Sequence, residues 1–189
     1  VMEDGTIVRG ESNIPNFNNR IEKVFYQRKV EPTREALQAI HEADVIVYGI
    51  GSLYTSIMPN LIVDGVVEQL RSNTVKKIYF CNAMTQPGET DDFTLEDHVA
   101  AIQKHSFPEA VDIVITHNNR ASDHILKKYK EMGSEPVRVA QKEHSYQILY
   151  RDVLNFDDDL IRHDSNKIRD VLGEIINSKD EEECLLQQK

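Results

Sequence analysis

Residues 44–57, Asp-Val-Ile-Val-Tyr-Gly-Ile-Gly-Ser-Leu-Tyr-Thr-Ser-Ile, change character three times within a short run. Val45 to Tyr48 is a continuous apolar stretch, which predicts a strand buried inside a sheet. Gly49 and Gly51 follow, and the lack of a Cβ lets a backbone approach a ligand closely. Ser52, Thr55 and Ser56 then open a predicted helix. A strand, a glycine turn and a helix entry in that order suit an anion, because the first N–H groups of a helix lack internal partners. The same residues also suit a plain strand-to-helix turn in which Ser and Thr only cap the helix.

The rest of the chain repeats the alternation of strand and helix. A half-exposed strand is predicted over Arg20–Gln27, from Ile21, Val24 and Tyr26 among charged residues. A helix opens at Glu31-Pro32 and carries Ala36, Leu37, Ala39, Ile40 and Ala43 on one face. Another helix is predicted from Ser56 to Leu70, with Pro59 in its first turn. Lys77–Cys81 reads as a strand, and Asn82–Asp92 as a long loop. Thr94-Leu-Glu-Asp97 is a capping pattern that opens a helix to about His105.

Val111–Thr116 is the next predicted strand, and Ala121–Met132 a helix stopped by Gly133. Val137–Ala140 and Tyr146–Val153 read as further strands. Asp164 or Ser165 caps a last helix with Ile168, Val171, Leu172, Ile175 and Ile176 on one side. This order predicts an α/β fold with a mostly parallel, Rossmann-like sheet covered by helices on both faces. The expected organisation is one α/β domain over 1–178 and a charged tail over 179–189.

The sequence opens directly in a hairpin pattern with Asp4-Gly5 as the turn, which leads to the expectation of a C-terminal piece of a larger domain. A chain of 189 residues is long enough to bury one sizeable core. A net charge of −10 argues against a nucleic-acid binder, which carries a basic face. No apolar run has the length of a membrane span, and no secretory signal is seen. The two cysteines, Cys81 and Cys184, are far apart in sequence, so free thiols and a reducing, cytoplasmic compartment are expected.

In a parallel sheet the strand ends share one edge, and ligands gather there. Three polar loops fall at such ends: Gly49–Thr55, Asn82–Asp92 and His117–Ser122. Asn82 and Thr85 offer neutral hydrogen bonds. Asp91 and Asp92 either hold Mg²⁺ through water or face solvent. Gly88 is expected to shape a turn and Glu89 to face solvent. His98, one turn into a helix, reads as a packing or capping residue rather than a catalyst. Asn118 and Asn119 suit base or sugar recognition and suit a turn equally. Arg162 either clamps a phosphate bidentately or is a surface residue beside a capping Asp164. No Cys-x-x-Cys, His-Glu-x-x-His, Walker lysine or Gly-x-Ser-x-Gly pattern occurs, so covalent hydrolysis is a poor expectation.

Ala43-Asp-Val-Ile-Val-Tyr-Gly-Ile-Gly-Ser-Leu-Tyr-Thr-Ser-Ile-Met-Pro-Asn-Leu61 resembles a signature of the gluconeogenesis factor family, within the 2-phospho-L-lactate transferase (CofD-like) superfamily. Asn82-Ala-Met-Thr-Gln-Pro-Gly-Glu-Thr-Asp91, followed by Thr94–His98, resembles its second signature. Glu3-Asp-Gly-Thr with Gly10-Glu-Ser, and Ile161-Arg-His-Asp164, fit as well. The resemblance implies a three-layer α/β/α sandwich of roughly 300 residues, within the range of one domain. It also implies an N-terminal Gly-Gly-Thr-Gly loop that this sequence does not contain.

The transferase branch moves a 2-phospholactyl group from a guanylylated carrier to a deazaflavin alcohol and uses Mg²⁺. The gluconeogenesis-factor branch is linked to cell shape, cell-wall control on gluconeogenic carbon sources and UDP-sugar binding. Gly-Ser-Leu-Tyr-Thr-Ser stands here in place of the transferase's Ser-Asn-Pro pattern, which sides with the second branch. The reading that follows is a regulatory protein that binds a UDP-sugar or another nucleotide ligand, with self-association left open. Gly49, Gly51, Ser52 and Thr55 would contact phosphate, and Asn82, Thr85, Tyr129 and Arg162 would complete the pocket. A Mg²⁺-dependent transferase using Asp91 or Asp92, and a scaffold with a vestigial pocket, are the alternatives.

Overall fold

The computed structural model describes residues 1–17, 19–140 and 143–186, with side chains described up to residue 177. Four parallel strands form the sheet in the order β1-β2-β3-β4. They are Val45–Tyr48, Lys76–Phe80, Ile113–His117 and Gln147–Arg151. The β1 register pairs Val45 with Lys76 and Tyr48 with Tyr79. The β2 register pairs Phe80 with Ile115. A short antiparallel pair, β5 (Leu154–Asn155) and β6 (Arg162–His163), follows the sheet.

Successive strand residues point to opposite faces, and two cores result. Ile46, Tyr48, Tyr79, Cys81 and Val114 face one of them. Leu61 of α2 (Met58–Leu61), Leu70 of α3 (Asp64–Ser72) and Leu95, Val99 and Ile102 of α4 (Leu95–His105) cover that side. Ile78, Phe80, Ile113 and Ile115 face the other core. There they meet Ile168, Val171, Leu172 and Ile175 of α6 (Ser165–Leu186). The architecture is therefore the expected three-layer α/β/α sandwich. Each fully buried Leu, Ile or Val contributes about 1.5–3 kcal/mol relative to exposure.

Local signals place most boundaries. Thr33 accepts from the Ala36 N–H and starts α1 (Arg34–Glu42). Thr94 and Asp97 form a reciprocal capping box at α4, as the sequence predicts. Ser122 accepts from Ile125 N–H and starts α5 (Asp123–Glu131). The Asp164 carboxylate accepts from the Asn166 and Lys167 N–H groups at 2.9 and 3.1 Å and caps α6.

Several expectations are corrected. The helix over Ser56–Leu70 is three pieces: a π-helical turn (Leu53–Ile57), α2 and α3. Val63 is extended (φ −93°, ψ 113°), which breaks the run although the apolar periodicity continues through it. Arg20–Gln27 is not a strand: Ile21 makes one antiparallel bridge to Met2, and the residues beyond it are irregular. The Asp4-Gly5 turn closes, with Met2 N–H donating to the Thr6 carbonyl at 2.8 Å, but no hairpin arm follows. Val137–Ala140 reduces to isolated bridges, Met84 to Pro136 and Thr94 to Arg138. Pro136 lacks an N–H, and the segment's neighbours are a loop and a helix cap rather than a strand. The side chains of the tail from Lys179 lie outside the described residues.

Candidate functional site

The C-terminal edge of the sheet gathers the loops after β1, β2 and β3. After β1 the chain turns at Gly49, whose φ is +99°. A Cβ there would stand 3.1 Å from the Phe80 carbonyl, so both the angle and the space favour glycine. A Cβ on Gly51 would stand 2.8 Å from Ser56 Cβ. Ser52 then ends the turn. Its carbonyl accepts from both Ser56 and Ile57 N–H at 3.0 Å, and its hydroxyl caps nothing. The π-helical turn that follows runs directly into α2, so the helical run that begins after Ser52 ends at Leu61.

The loop after β2 clasps this turn at three points. The Asn82 carboxamide donates to the Gly51 carbonyl at 3.0 Å and accepts from the Tyr79 hydroxyl at 2.9 Å. Gln86 Nε2 donates to Ser52 Oγ at 2.9 Å. Thr55 Oγ1 donates to Glu89 Oε1 at a long 3.5 Å. Glu89 is 7% exposed, against the expectation of a solvated acid. Its Oε2 is sealed from solvent without a partner. Burial pushes its carboxyl above the usual range, opposed by bonds from Thr55 and the Tyr54 backbone, with Glu11 adding to the rise. The 11–16 segment seals this loop: a Cβ on Gly88 would lie 2.5 Å from Pro15 Cα.

The remaining predicted residues fall in different places. Thr85 is buried and holds the 134–135 segment: its Oγ1 accepts from Glu135 N–H at 2.9 Å, and its carbonyl accepts from Ser134 Oγ at 2.6 Å. Thr85 also borders a cavity of about 390 Å³ with Asp91, Asp92, Lys130 and Arg138. Asp91 accepts from Gly88 N–H at 2.7 Å, and both acids are exposed. Mg²⁺ wants several oxygens. No group of three His, Cys, Asp or Glu suited to a metal gathers among the described residues, so the acids do not form a cation cage by themselves.

Tyr129 sits on α5, where its hydroxyl accepts from Ile161 N–H at 2.9 Å, which ties α5 to the chain entering β6. Arg162 lies on β6 opposite Asn155, exposed, while its neighbour His163 is half-buried with its ring edge-on to Phe80 at 6.5 Å. Burial holds His163 below the usual imidazole range, and His117 nearby adds to this. His117 donates from Nδ1 to the Asn119 carbonyl at 2.9 Å. Asn119 Nδ2 bonds Asp152 at 2.6 Å, so it ties loops together. His98 is fully buried, donates to the Thr94 carbonyl at 2.8 Å and packs against Phe93, a packing role.

Gly49, Gly51, Ser52, Thr55 and Asn82 thus come together at the edge. Thr85, Tyr129 and Arg162 are held by other parts of the fold. Gln86 and Glu89 join the site although neither is expected there from the sequence; their signal is position in the one long polar loop after a central strand. Residues 1–154 match the family model described as 2-phospho-L-lactate transferase CofD.

The chain belongs to the CofD family.

Within that family it is similar to the gluconeogenesis factor of Halalkalibacterium halodurans, 44% identical over 92% of this chain and 55% of that protein. It is 37% identical to the gluconeogenesis factor of Bacillus subtilis over 93% of this chain and 56% of that one. The crystal structure of protein BH3568 from Bacillus halodurans superposes with a TM-score of 0.86 at 42% identity, covering 90% of this chain and 56% of that one. The chain therefore spans about half the length of these relatives. No helix among the described residues is long and apolar enough to cross a membrane.

Proposed function

We propose that this member of the CofD family acts as a gluconeogenesis factor, a regulatory protein that binds a nucleotide-sugar, with a UDP-sugar as its ligand. Cell shape and cell-wall metabolism on gluconeogenic carbon sources are the processes it serves, and the cytoplasm is its place of action. The observation that supports this most is the Ser52 hydroxyl at the sheet's carboxyl edge. Gln86 occupies one lone pair of Ser52 Oγ, which leaves the hydroxyl proton to be donated to a phosphate oxygen. Gly51 beside it lets the turn close against Ser56, which holds Ser52 at this edge. Arg162, Tyr129 and Thr85 belong to an outer part of this reading.

Calorimetric titration with UDP-glucose tests it. Ser52→Ala is expected to weaken binding about tenfold, which corresponds to one charge-assisted hydrogen bond. Saturable binding that is the same in EDTA and in Mg²⁺ supports a regulator. Absence of binding supports a scaffold with a vestigial pocket. The family model's transferase description keeps a second reading in play, a Mg²⁺-dependent group transfer. In that case Asp91→Asn or Asp92→Asn abolishes a metal-dependent turnover that the native protein shows.

A further inference from the structure

Residues 20–27 carry the alternation of a strand, yet no strand lies beside them. The start of the segment is fixed: the Glu22 and Lys23 N–H groups donate to the Val1 carbonyl, and Val24 N–H donates to His105 Nε2 at 3.1 Å. The Tyr26 hydroxyl donates to the Pro59 carbonyl at 3.0 Å. From Phe25 to Val30, no backbone N–H or carbonyl is paired among the described residues. Phe25, Tyr26 and Val30 are 50%, 43% and 39% exposed there. All three line a cavity of about 630 Å³. Ile7, Val8 and Arg9 also line it, and their N–H groups are unpaired as well. Protein backbone is nearly always paired or hydrated, and open groups beside apolar side chains are how one chain accepts a strand from another. Arg9 and Arg28 line the same cavity, and neither side chain is bonded among the described residues.

We propose that this cavity is the docking site of a polypeptide strand, which pairs with the open backbone of residues 25–30 and comes from the stretch that the relatives carry outside their match to this chain. The match takes in 55% and 56% of the two gluconeogenesis factors, so nearly half of each remains to supply the strand. Backbone hydrogen bonds carry the affinity, and apolar side chains of the docked strand cover Phe25 and Val30. The two free guanidinium groups call for acidic side chains on that strand. Thr55 lines the same cavity, so the docked strand borders the glycine turn and closes that flank of the candidate site.

The probe is the part of the Bacillus subtilis gluconeogenesis factor outside the match, made as a separate polypeptide and mixed with the whole chain. Sedimentation is expected to show a complex, and hydrogen exchange a slowing of about tenfold or more at the amides of residues 25–30. Phe25→Asp and Arg28→Glu are expected to weaken the complex about tenfold or more, and added salt to weaken the native one. Tyr150→Asp, on the edge strand β4 and outside the cavity, is expected to stay within about twofold. Thermal melts check that each variant folds. A second measurement serves if the probe does not fold alone. In the intact Bacillus subtilis protein, the amides aligned with residues 25–30 are expected to exchange about tenfold or more slowly than in this chain. Equal rates there would overturn the proposal. So would a complex that leaves residues 25–30 unprotected, or one that Phe25→Asp and Tyr150→Asp weaken alike. Protection that rises with the concentration of this chain alone would give the cavity to a second copy and overturn it too.

Discussion

Asn82 Nδ2 donates to the carbonyl of Gly51 at 3.0 Å, across a gap between two parallel strand ends. The bond makes Asn82 a brace for the glycine turn before it is a ligand contact. Tyr79, fully buried one step down β2, fixes the brace by donating its hydroxyl to Asn82 Oδ1. The shape of the turn is therefore set from β2 as much as from its own glycines.

Tyr79→Phe removes the hydroxyl and little else. The expected cost is about 1–2 kcal/mol of unfolding free energy, since one hydrogen bond is lost and its acceptor is left under-satisfied. Urea denaturation measures it, with an unchanged m-value showing that the fold is kept. The Gly51 carbonyl also loses its oriented partner, so UDP-glucose affinity is expected to fall with it.

Two glycines make a paired prediction. Gly88 has a φ of +78°, and a Cβ there would meet Pro15 backbone at 2.5 Å. Gly88→Ala is expected to cost at least about 2 kcal/mol, from left-handed strain plus displacement of the 11–16 segment. Gly173 lies within α6 and a Cβ there meets nothing within 4 Å. Gly173→Ala is expected to gain about 0.5–1 kcal/mol by helix propensity. Thermal melts of the two variants should move in opposite directions.

Glu89 makes stability depend on pH. Its folded carboxyl holds a proton more tightly than an ordinary glutamate at 4.5, chiefly through burial. The contribution of the protonated form is complete below the unfolded value and is lost as pH rises through the raised folded one. Glu89→Gln is expected to melt higher than native protein at pH 7 and to lose that advantage near pH 4. A melting difference that is the same at both pH values would contradict this.

His98 works in the opposite direction. Burial holds it below the ordinary histidine value of 6.5, partly offset by its bond to the Thr94 carbonyl and by Asp97. The unfolded chain then binds the proton first, so stability is full above 6.5 and declines as pH falls towards the folded value. His105 and His163 are lowered in the same sense. Chemical denaturation between pH 7.5 and pH 5 should show the decline, with a shallower slope in His98→Gln.

The sandwich was legible because Val45–Tyr48 and Lys77–Cys81 are apolar runs too short for buried helices, each bounded by turn residues. The Thr94–Asp97 box was legible because both partners lie within one turn of each other. The break at Ile62–Val63 was not, since the apolar spacing runs straight through it and only packing decides the backbone there. Arg20–Gln27 has the right alternation for a strand, yet alternation does not supply a neighbour to pair with. At the site, the glycine turn and its hydroxyls stood out by composition. The burial of Glu89 did not, because it depends on Pro15, more than seventy residues away, closing over the Gly88 turn. Asn82 was found by type, but its service to Gly51 and Tyr79 depends on distances that no local pattern records.

Cys81 closes β2 beneath α4, free and buried, with its thiol pushed up to about 12 by burial. A sulfur held in that state cannot attack an alkylating reagent while the sheet is shut, because the thiolate is the reacting form. In a Cys184→Ser background, the rate at which Cys81 is modified therefore counts how often the central strands come apart. The chain carries its own clock for the opening of the very layer that aligns the glycine turn, readable by mass spectrometry as the added mass of the alkylated thiol.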